Sequence, residues 1–443
     1  MKLPRPLPLS LVLSALLAGP AQAQSLVELY ESARSFDASY QSARAQYDAN
    51  VARAEQARAG LLPTVNASAG VNRALNDYTR PAGTTTFNTL AQSAGVNATQ
   101  PLYRPANVAT YEQGKKQVEL AQAQLSTAEQ DLIVRVSQAY FDVLGAQDTL
   151  AFVQAQKTAV AEQLAAAKRN FEVGTSTITD TREAQARYDL VLAQEIAAEN
   201  DLRVKKLALD QLVGKASTEP RPLATPVALP PLQPNDVSVW TRQSEEAHPA
   251  IRQARLGLDV AQLETRKAQA GHKPTLDVTA GYNVGRNPNG VVTAPGVSLR
   301  TEVASVGVNF NLPLFAGFAT QNRVKETLAL EDKARADLDA AQRGVAQATR
   351  SAFFGVQSGI GQVRALEAAE ASSQSALDAN KLGYQVGVRI NIDVLNSQSQ
   401  LYQTKRDLAK ARYDVLVGGL RLRQASGTLT PDDLQPVNAL LAK

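Results

Sequence analysis

Cysteine is absent from this chain, which excludes disulfides, thiol catalysis, thiolate metal sites and lipid attachment through an N-terminal cysteine. Histidine is nearly absent; His248 and His272 alone cannot build a His/Cys metal cluster. Aromatics make up 5% of the residues, and the chain is rich in Ala, Gln, Leu and charged residues, a composition that suits long helices with narrow seams better than a thick core. No stretch of about twenty uninterrupted apolar residues occurs, so no transmembrane helix is expected. Neither sign of charge dominates: 46 basic and 42 acidic residues are interspersed, for a net charge of +4. Without a basic stripe interleaved with aromatics, nucleic acid is not an expected partner. Catalytic motifs are missing too. Gly214-Lys215 is followed by Ala216 with no upstream P-loop glycine, Gly296-Val297-Ser298 lacks the closing glycine of a nucleophile elbow, and Gly359-Ile360-Gly361 follows no strand. No enzyme activity and no cofactor are expected.

What the chain does have is itself, twice. Phe171–Gln185 (FEVGTSTITDTREAQ) returns as Tyr384–Gln398 (YQVGVRINIDVLNSQ), 213 residues later. Gly60–Asn72 returns as Gly271–Asn283, Ala94–Tyr103 as Val306–Phe315, and Ala139-Tyr140-Phe141 as Ala352-Phe353-Phe354. The offsets stay between 211 and 213, too long for a solenoid period, so the pattern marks a duplicated unit. Ahead of it, Lys2 and Arg5, the apolar run Leu7–Leu17 and Ala21-Gln22-Ala23 read as a secretory leader over residues 1–23. The predicted organisation is a first repeat over 24–213, a strap over 214–239 with six prolines (Pro220, Pro222, Pro226, Pro230, Pro231 and Pro234), a second repeat over 240–426, and an irregular tail over 427–443.

Each repeat reads helix, two strands, long helix, short helix. A first helix over Ser25–Gly60 ends at Pro63, after which the period changes to two. Strands are predicted at about 64–73 and 93–100, around a polar loop over 76–89, and at about 275–286 and 301–312. Each is roughly ten residues of apolar–polar alternation, the signature of a membrane-barrel strand. A helix over about 104–171 follows, about 100 Å long, with a seven-residue seam at Val118, Leu125, Leu132, Ala139, Ala146, Val153, Val160 and Ala167 that implies coiled-coil packing. A second track, Val136, Val143, Leu150, Leu164 and Phe171, is interrupted by Lys157. The counterpart long helix covers about Ala319–Gly383. Four strands cannot close a barrel, and open edges in lipid leave backbone groups unpaired. Even eight strands leave a bore that side chains fill, so a trimer with twelve strands is the smallest assembly with an opening. Two other readings stand beside this one. One takes the strands as a soluble hairpin packed on the helices, the other takes the chain as a periplasmic coiled-coil adaptor or scaffold without a pore.

The paired motifs Pro63–Asn72 (PTVNASAGVN) and Pro274–Asn283 (PTLDVTAGYN), the repeated turn, Tyr188–Glu195 (YDLVLAQE) and Ala411–Leu420 (ARYDVLVGGL) resemble the TolC family of outer-membrane channel proteins over nearly the whole mature chain. The resemblance implies a mainly α fold with a membrane β-barrel: a homotrimer with a twelve-stranded barrel in the outer membrane of a Gram-negative bacterium, and a coiled-coil helical tunnel through the periplasm. Strap and tail would form a belt around that tunnel. It implies an exit duct for an inner-membrane transporter (ABC, RND or MFS type) joined through a periplasmic adaptor, or membrane fusion, protein, in type I secretion or drug efflux. It also places the repeated turn at the periplasmic tip, closed by polar links. There Tyr384 corresponds to a tyrosine bonded to the aspartate at Asp180. Arg389 corresponds to an arginine reaching Thr179 and Asp180 across the subunit boundary, and Asp393 to an acidic ring at the entrance. The family's second acidic ring falls on Asn396, which puts a strong cation preference in doubt. Arg389 and Tyr384 also break the likeness between the repeats, since their counterparts are Ser176 and Phe171.

Overall fold

The computed structural model describes residues 23–442 apart from Ala82, Ala228, Val292 and Thr293. The predicted leader therefore lies outside the described residues except for Ala23. The order of elements runs through twice. First come α1 (Leu26–Phe36), α2 (Ala38–Ala59), β1 (Thr64–Arg80), β2 (Gly83–Tyr103), α3 (Pro105–Glu172) and α4 (Ile178–Val213). Then follow α5 (Val237–Ala247), α6 (Pro249–Ala270), β3 (Thr275–Asn287), the short pair β4 (Gly290–Val291) and β5 (Ala294–Pro295), β6 (Leu299–Asn311), α7 (Ala319–Gln385) and α8 (Asn391–Ala425). The tail, expected to be irregular, contains a 3-10 turn at Pro431–Asp433 and the short helix α9 (Leu434–Asn438). Contacts divide the chain into two compact units, one of residues 45–124 and 252–341, the other of residues up to 44 with 125–251 and 342–443.

In the unit of residues 45–124 and 252–341, the four long strands form an antiparallel meander, β1-β2-β3-β6. Val65 stands opposite Ala98, Ala98 opposite Ala280, and Ala280 opposite Val306. Residues directly across a ladder share a face, so the apolar positions of all four strands form one continuous surface. It is bare, with Val71 73% and Val306 83% exposed. The other face is small and polar, and each long strand places a Gly-x-Asn triplet there: Gly70–Asn72, Gly95–Asn97, Gly281–Asn283 and Gly307–Asn309. Where β2 and β3 pair, Gly95 lies opposite Asn283 and Asn97 opposite Gly281. A Cβ at either glycine would collide with the asparagine side chain across from it, and Asn283 Nδ2 donates to Asn97 Oδ1 at 3.3 Å. At the foot of this sheet Arg104 holds the Asp277 carboxylate with two bonds, Nε to Oδ1 at 2.8 Å and Nη2 to Oδ2 at 2.5 Å. Among the described residues β1 and β6 each keep one edge unpaired.

The first hairpin is longer than the alternation predicts. Instead of a loop over 76–89, the ladder continues to Arg80 opposite Gly83. Polar residues on both faces hide the period there, but Thr79, Thr84 and Thr86 and the stacked rings of Tyr78 and Phe87, 5.9 Å apart, suit extended pairing. A bilayer needs only about ten residues of strand, so the polar extension reaches past the apolar band. The two opening helices also depart from expectation, since each is broken once. Pro249 excludes helical geometry at His248, which is extended, and Asp37 is extended between α1 and α2.

In the unit of residues up to 44 with 125–251 and 342–443, the main core gathers Leu26, Leu29, Tyr30, Leu132, Val136 and Tyr140 with Leu416 and Leu420. The predicted seam residues Leu132, Ala146, Val153, Val160 and Ala167 are buried. Lys157, which interrupts the second track, is answered by the buried Glu195 on α4, 2.7 Å away. Strap and tail are fastened here: Leu223 bridges Leu441, Ala442 N donates to Pro222 O at 2.8 Å, and the Tyr140 hydroxyl donates to Arg221 O at 2.9 Å. Asp37 is buried and accepts from both Nη atoms of Arg135 at 2.9 Å and from Tyr40 N at 2.8 Å. The guanidinium of Arg135, chiefly, holds its carboxyl below the usual carboxylate range.

Two outcomes are expected. Val306→Arg, on the bare apolar face, is expected to lower stability by about 2–4 kcal/mol in urea titrations of protein folded into lipid vesicles, whereas Ser305→Arg, on the polar face, costs far less. Asp37→Asn is expected to cost about 1–3 kcal/mol at pH 7. Because the folded carboxyl titrates below its unfolded value of about 4, its contribution is complete above that value and is lost as pH falls through the folded one. Thermal melts of Asp37→Asn and the unmodified chain should therefore converge below about pH 4.

Candidate functional site at the repeated helical turns

The turns joining α3 to α4 and α7 to α8 use one backbone solution. Gly174 and Gly387 both sit at φ +77°, a conformation that favours glycine. Thr175 N donates to Asn170 O and Val388 N to Gly383 O, both at 2.8 Å, closing each helix in the same way.

The side chains then diverge. At the start of α4, Thr177 and Asp180 form a capping box: Thr177 N and Oγ1 donate to Asp180 Oδ2 at 2.9 and 2.8 Å, and Asp180 N donates back to Thr177 Oγ1 at 3.2 Å. In the second repeat the capping position is Ile390, whose side chain can accept nothing, so Asp393 is released from capping. Its Oδ2 instead lies 3.8 Å from Arg389 Nη1, one helical turn away. Arg389 lays its stem over Gly383, where a Cβ would collide with it. A single lost hydroxyl, threonine to isoleucine, thus converts a structural carboxylate into an available one.

Of the residues the resemblance singled out, Thr179 is exposed, Asp180 is committed to its own cap, and Arg389 and Asp393 are side by side. Tyr384 does not meet Asp180. Its hydroxyl accepts from Asn170 Nδ2 at 3.1 Å, while Asp180 Oδ2 is held by Thr177. Asn396 is exposed, and its Oδ1 accepts from Arg187 Nη2 at 2.9 Å.

Sequence reasoning missed the residue that ties the two hairpins together. Asn391, fully buried, accepts from Gln163 Nε2 of α3 and donates through Nδ2 to the Asp180 main-chain oxygen at 3.2 Å. Around it Leu395 packs among Val160, Leu164, Ala184 and Val191, while Val394 packs with Leu377 and Leu401. The signal was present: the counterpart of Asn391 is Ile178, that of Asn170 is Gly383 and that of Arg187 is Gln400. Comparing the repeats for polar positions gained in one copy finds Asn391 and Asn170. Nearby Gln398 is buried, with Oε1 meeting no partner among the described residues.

An outer membrane efflux protein family model matches residues 29–215 and 240–428, once for each run of elements. Outer membrane protein TolC of Vibrio cholerae is 35% identical over 423 residues, covering 96% of this chain and 95% of that protein. Alkaline protease secretion protein AprF of Pseudomonas aeruginosa is 30% identical, with 96% and 89% covered. Among solved structures, the Campylobacter jejuni CmeC outer membrane channel shares the fold, with a TM-score of 0.79 and 17% identity over 94% of this chain and 90% of that one. The duplicated helices, the strand pairs with their bare apolar face and these likenesses lead to one assignment: this chain belongs to the outer membrane efflux protein family, the TolC family, and is an outer-membrane exit duct.

Proposed function

We propose that three copies of this chain complete a twelve-stranded barrel and a helical tunnel, whose periplasmic entrance is closed at the repeated turns by polar links. The observation that carries this reading is the pair of unpaired edges, β1 and β6, on a sheet with one bare apolar face. In lipid each unpaired backbone group costs several kcal/mol, and pairing β1 of one copy with β6 of the next removes that cost. The leader over 1–23 directs export, the repeats over 24–213 and 240–426 each supply two strands, and the strap over 214–239 and tail over 427–443 form the belt. Cargo comes from an inner-membrane transporter through a periplasmic adaptor, and the duct performs no chemistry of its own. Small drugs and secreted proteins are both cargo classes, the second favoured by the likeness to a protease secretion protein.

Arg389 is suited to a link across subunits because its own pairing is weak. At 3.8 Å, with the arginine side chain 58% exposed, the contact with Asp393 belongs to the class of about 0.2–1 kcal/mol. Exchange for Thr179 and Asp180 of the neighbouring copy therefore costs little. Tyr384–Asn170 and Asn391–Gln163 act within one copy, holding the second hairpin against the first. An adaptor that binds only the open arrangement has to supply the difference between the two states.

The trimer carrying Tyr384→Phe with Arg389→Ser is expected to show higher single-channel conductance in planar bilayers than the unmodified trimer. Asn391→Ile, which installs the first repeat's residue, is expected to raise it as well. Unchanged conductance in all variants, with trimers intact by crosslinking, removes these residues from the gate.

A further inference from the structure

On the bare face of the sheet the apolar rows stop at arginines. Val71 stands opposite Gln92, Gln92 opposite Arg286, and Arg286 opposite Arg300, so all four share that face. Two residues further along β1, Arg73 lies on it too. Nearer the helices, the adjoining row is Ala69, Ala94 and Val284. These two rows line an open depression of about 380 Å³, floored by the alanines and topped by the guanidinium of Arg286. From Leu276, opposite Phe310 at the foot of the face, β3 runs ten residues to Arg286. That is about 33 Å of strand and, at the usual tilt of a barrel strand, about 25 Å of height. The apolar band of an outer-membrane barrel is about 25 Å tall, so Arg286 falls where hydrocarbon gives way to headgroups.

The charges around it do not balance. Arg286 and Arg300 are like charges directly opposed, an unfavourable pairing. Arg300 is relieved by Glu302, whose Oε1 lies 2.6 Å from its Nη2, and Glu302 also accepts from the Tyr282 hydroxyl at 3.1 Å. The side chains of Arg286 and Arg73 have no such partner among the described residues. Asn287–Ser298, between the two strands, carries no charged residue. The one other acid on this face, Asp77, accepts from Thr86 and lies six positions beyond Val71 on β1, about 20 Å along the strand. Beside the depression, two arginines and one glutamate leave a positive remainder.

We propose that this depression seats a phosphate-bearing lipid of the outer leaflet, with an acyl chain over Ala69 and Ala94 and the phosphate on Arg286. A guanidinium suits that task because its fork takes phosphate oxygens by two hydrogen bonds. The occupant is a lipid and not a dissolved anion, since the depression is continuous with the bare face that hydrocarbon covers. Arg73 adds to the positive field that draws an anionic headgroup to the site. The inference rests on the reading of the sheet as one third of a closed barrel and uses nothing of the turns.

The test is native mass spectrometry of the detergent-solubilised trimer titrated with lipid A bearing two phosphates. The unmodified trimer is expected to bind one lipid per copy, and to bind the dephosphorylated lipid about tenfold more weakly, the size of one charge-assisted hydrogen bond. Arg286→Gln is expected to weaken binding of the phosphorylated lipid to that same level, while leaving the dephosphorylated lipid unaffected. Ala94→Phe, which fills the depression and keeps the charge, is expected to weaken both lipids. Inorganic phosphate is expected not to displace either. If Arg286→Gln and the unmodified trimer bind the phosphorylated lipid alike, the site is overturned. Displacement by inorganic phosphate, with Ala94→Phe without effect, overturns it as well, leaving a surface charge contact only. Crosslinking separates these failures from that of the barrel: intact trimers with no lipid preference sink the site alone, whereas a chain that forms no trimer sinks both.

Discussion

A hydrogen-bonding edge left open in hydrocarbon is the constraint from which the rest of this structure follows. The sheet offers four strands, one continuous apolar face and two unpaired edges, β1 and β6. Water would tolerate the edges but not the bare valines and Phe310; lipid would accept the side chains but not the edges. Only closure with further strands satisfies both demands at once. That requirement explains why the polar face is made of Gly, Ser, Thr and Asn. A bore must be wet and unobstructed, and the Gly95–Asn283 and Asn97–Gly281 pairs keep each asparagine flat against a neighbour that has no side chain.

Duplication supplies the strands cheaply, and departures from duplication supply function. Where the repeats agree, as at Gly174 and Gly387, the residue serves the backbone. Where they differ, the difference has a task. Tyr140 fastens the strap through a hydroxyl that its counterpart Phe353 lacks, and Phe353 packs instead beside Trp240 and Leu422. Thr177 becomes Ile390 and so releases Asp393; Ile178 becomes Asn391 and so ties α8 to the first hairpin. An internal repeat is in this sense a control experiment written into the chain.

Period and punctuation made much of the fold legible in advance. Alternation at 64–73, the seam from Leu132 to Ala167 and the prolines of the strap each depend on neighbours close in sequence, which a reader of one chain can see. The break at Asp37 and the order of the tail were not visible, because they rest on partners far away: Arg135 for the first, Pro222 and Leu223 for the second. At the turns, the resemblance pairs Tyr384 with Asp180, whereas within one copy the Tyr384 hydroxyl accepts from Asn170. Asp180 Oδ2 caps its own helix through the threonine three residues before it, and no comparison of residue types alone reveals that bond.

The chemistry of the turns also suits the proposed closure at this end of the helices. Higher up the same unit, Leu132, Val136, Tyr140 and Leu144 are sealed in an apolar core, and parting those helices would expose every one of them to water. Near the turns the apolar clusters are smaller and polar groups join them: Asn391 and Gln398 are buried on α8, Gln156 is buried on α3, and Lys157 meets Glu195. Polar groups in a seam fix register at a cost in stability. They also lose less on exposure, because water replaces most of each hydrogen bond, leaving about 0.5–1.5 kcal/mol apiece. On the proposed reading, a helix end held this way costs little to part, so a partner that prefers the open form could shift the balance without disturbing the core above.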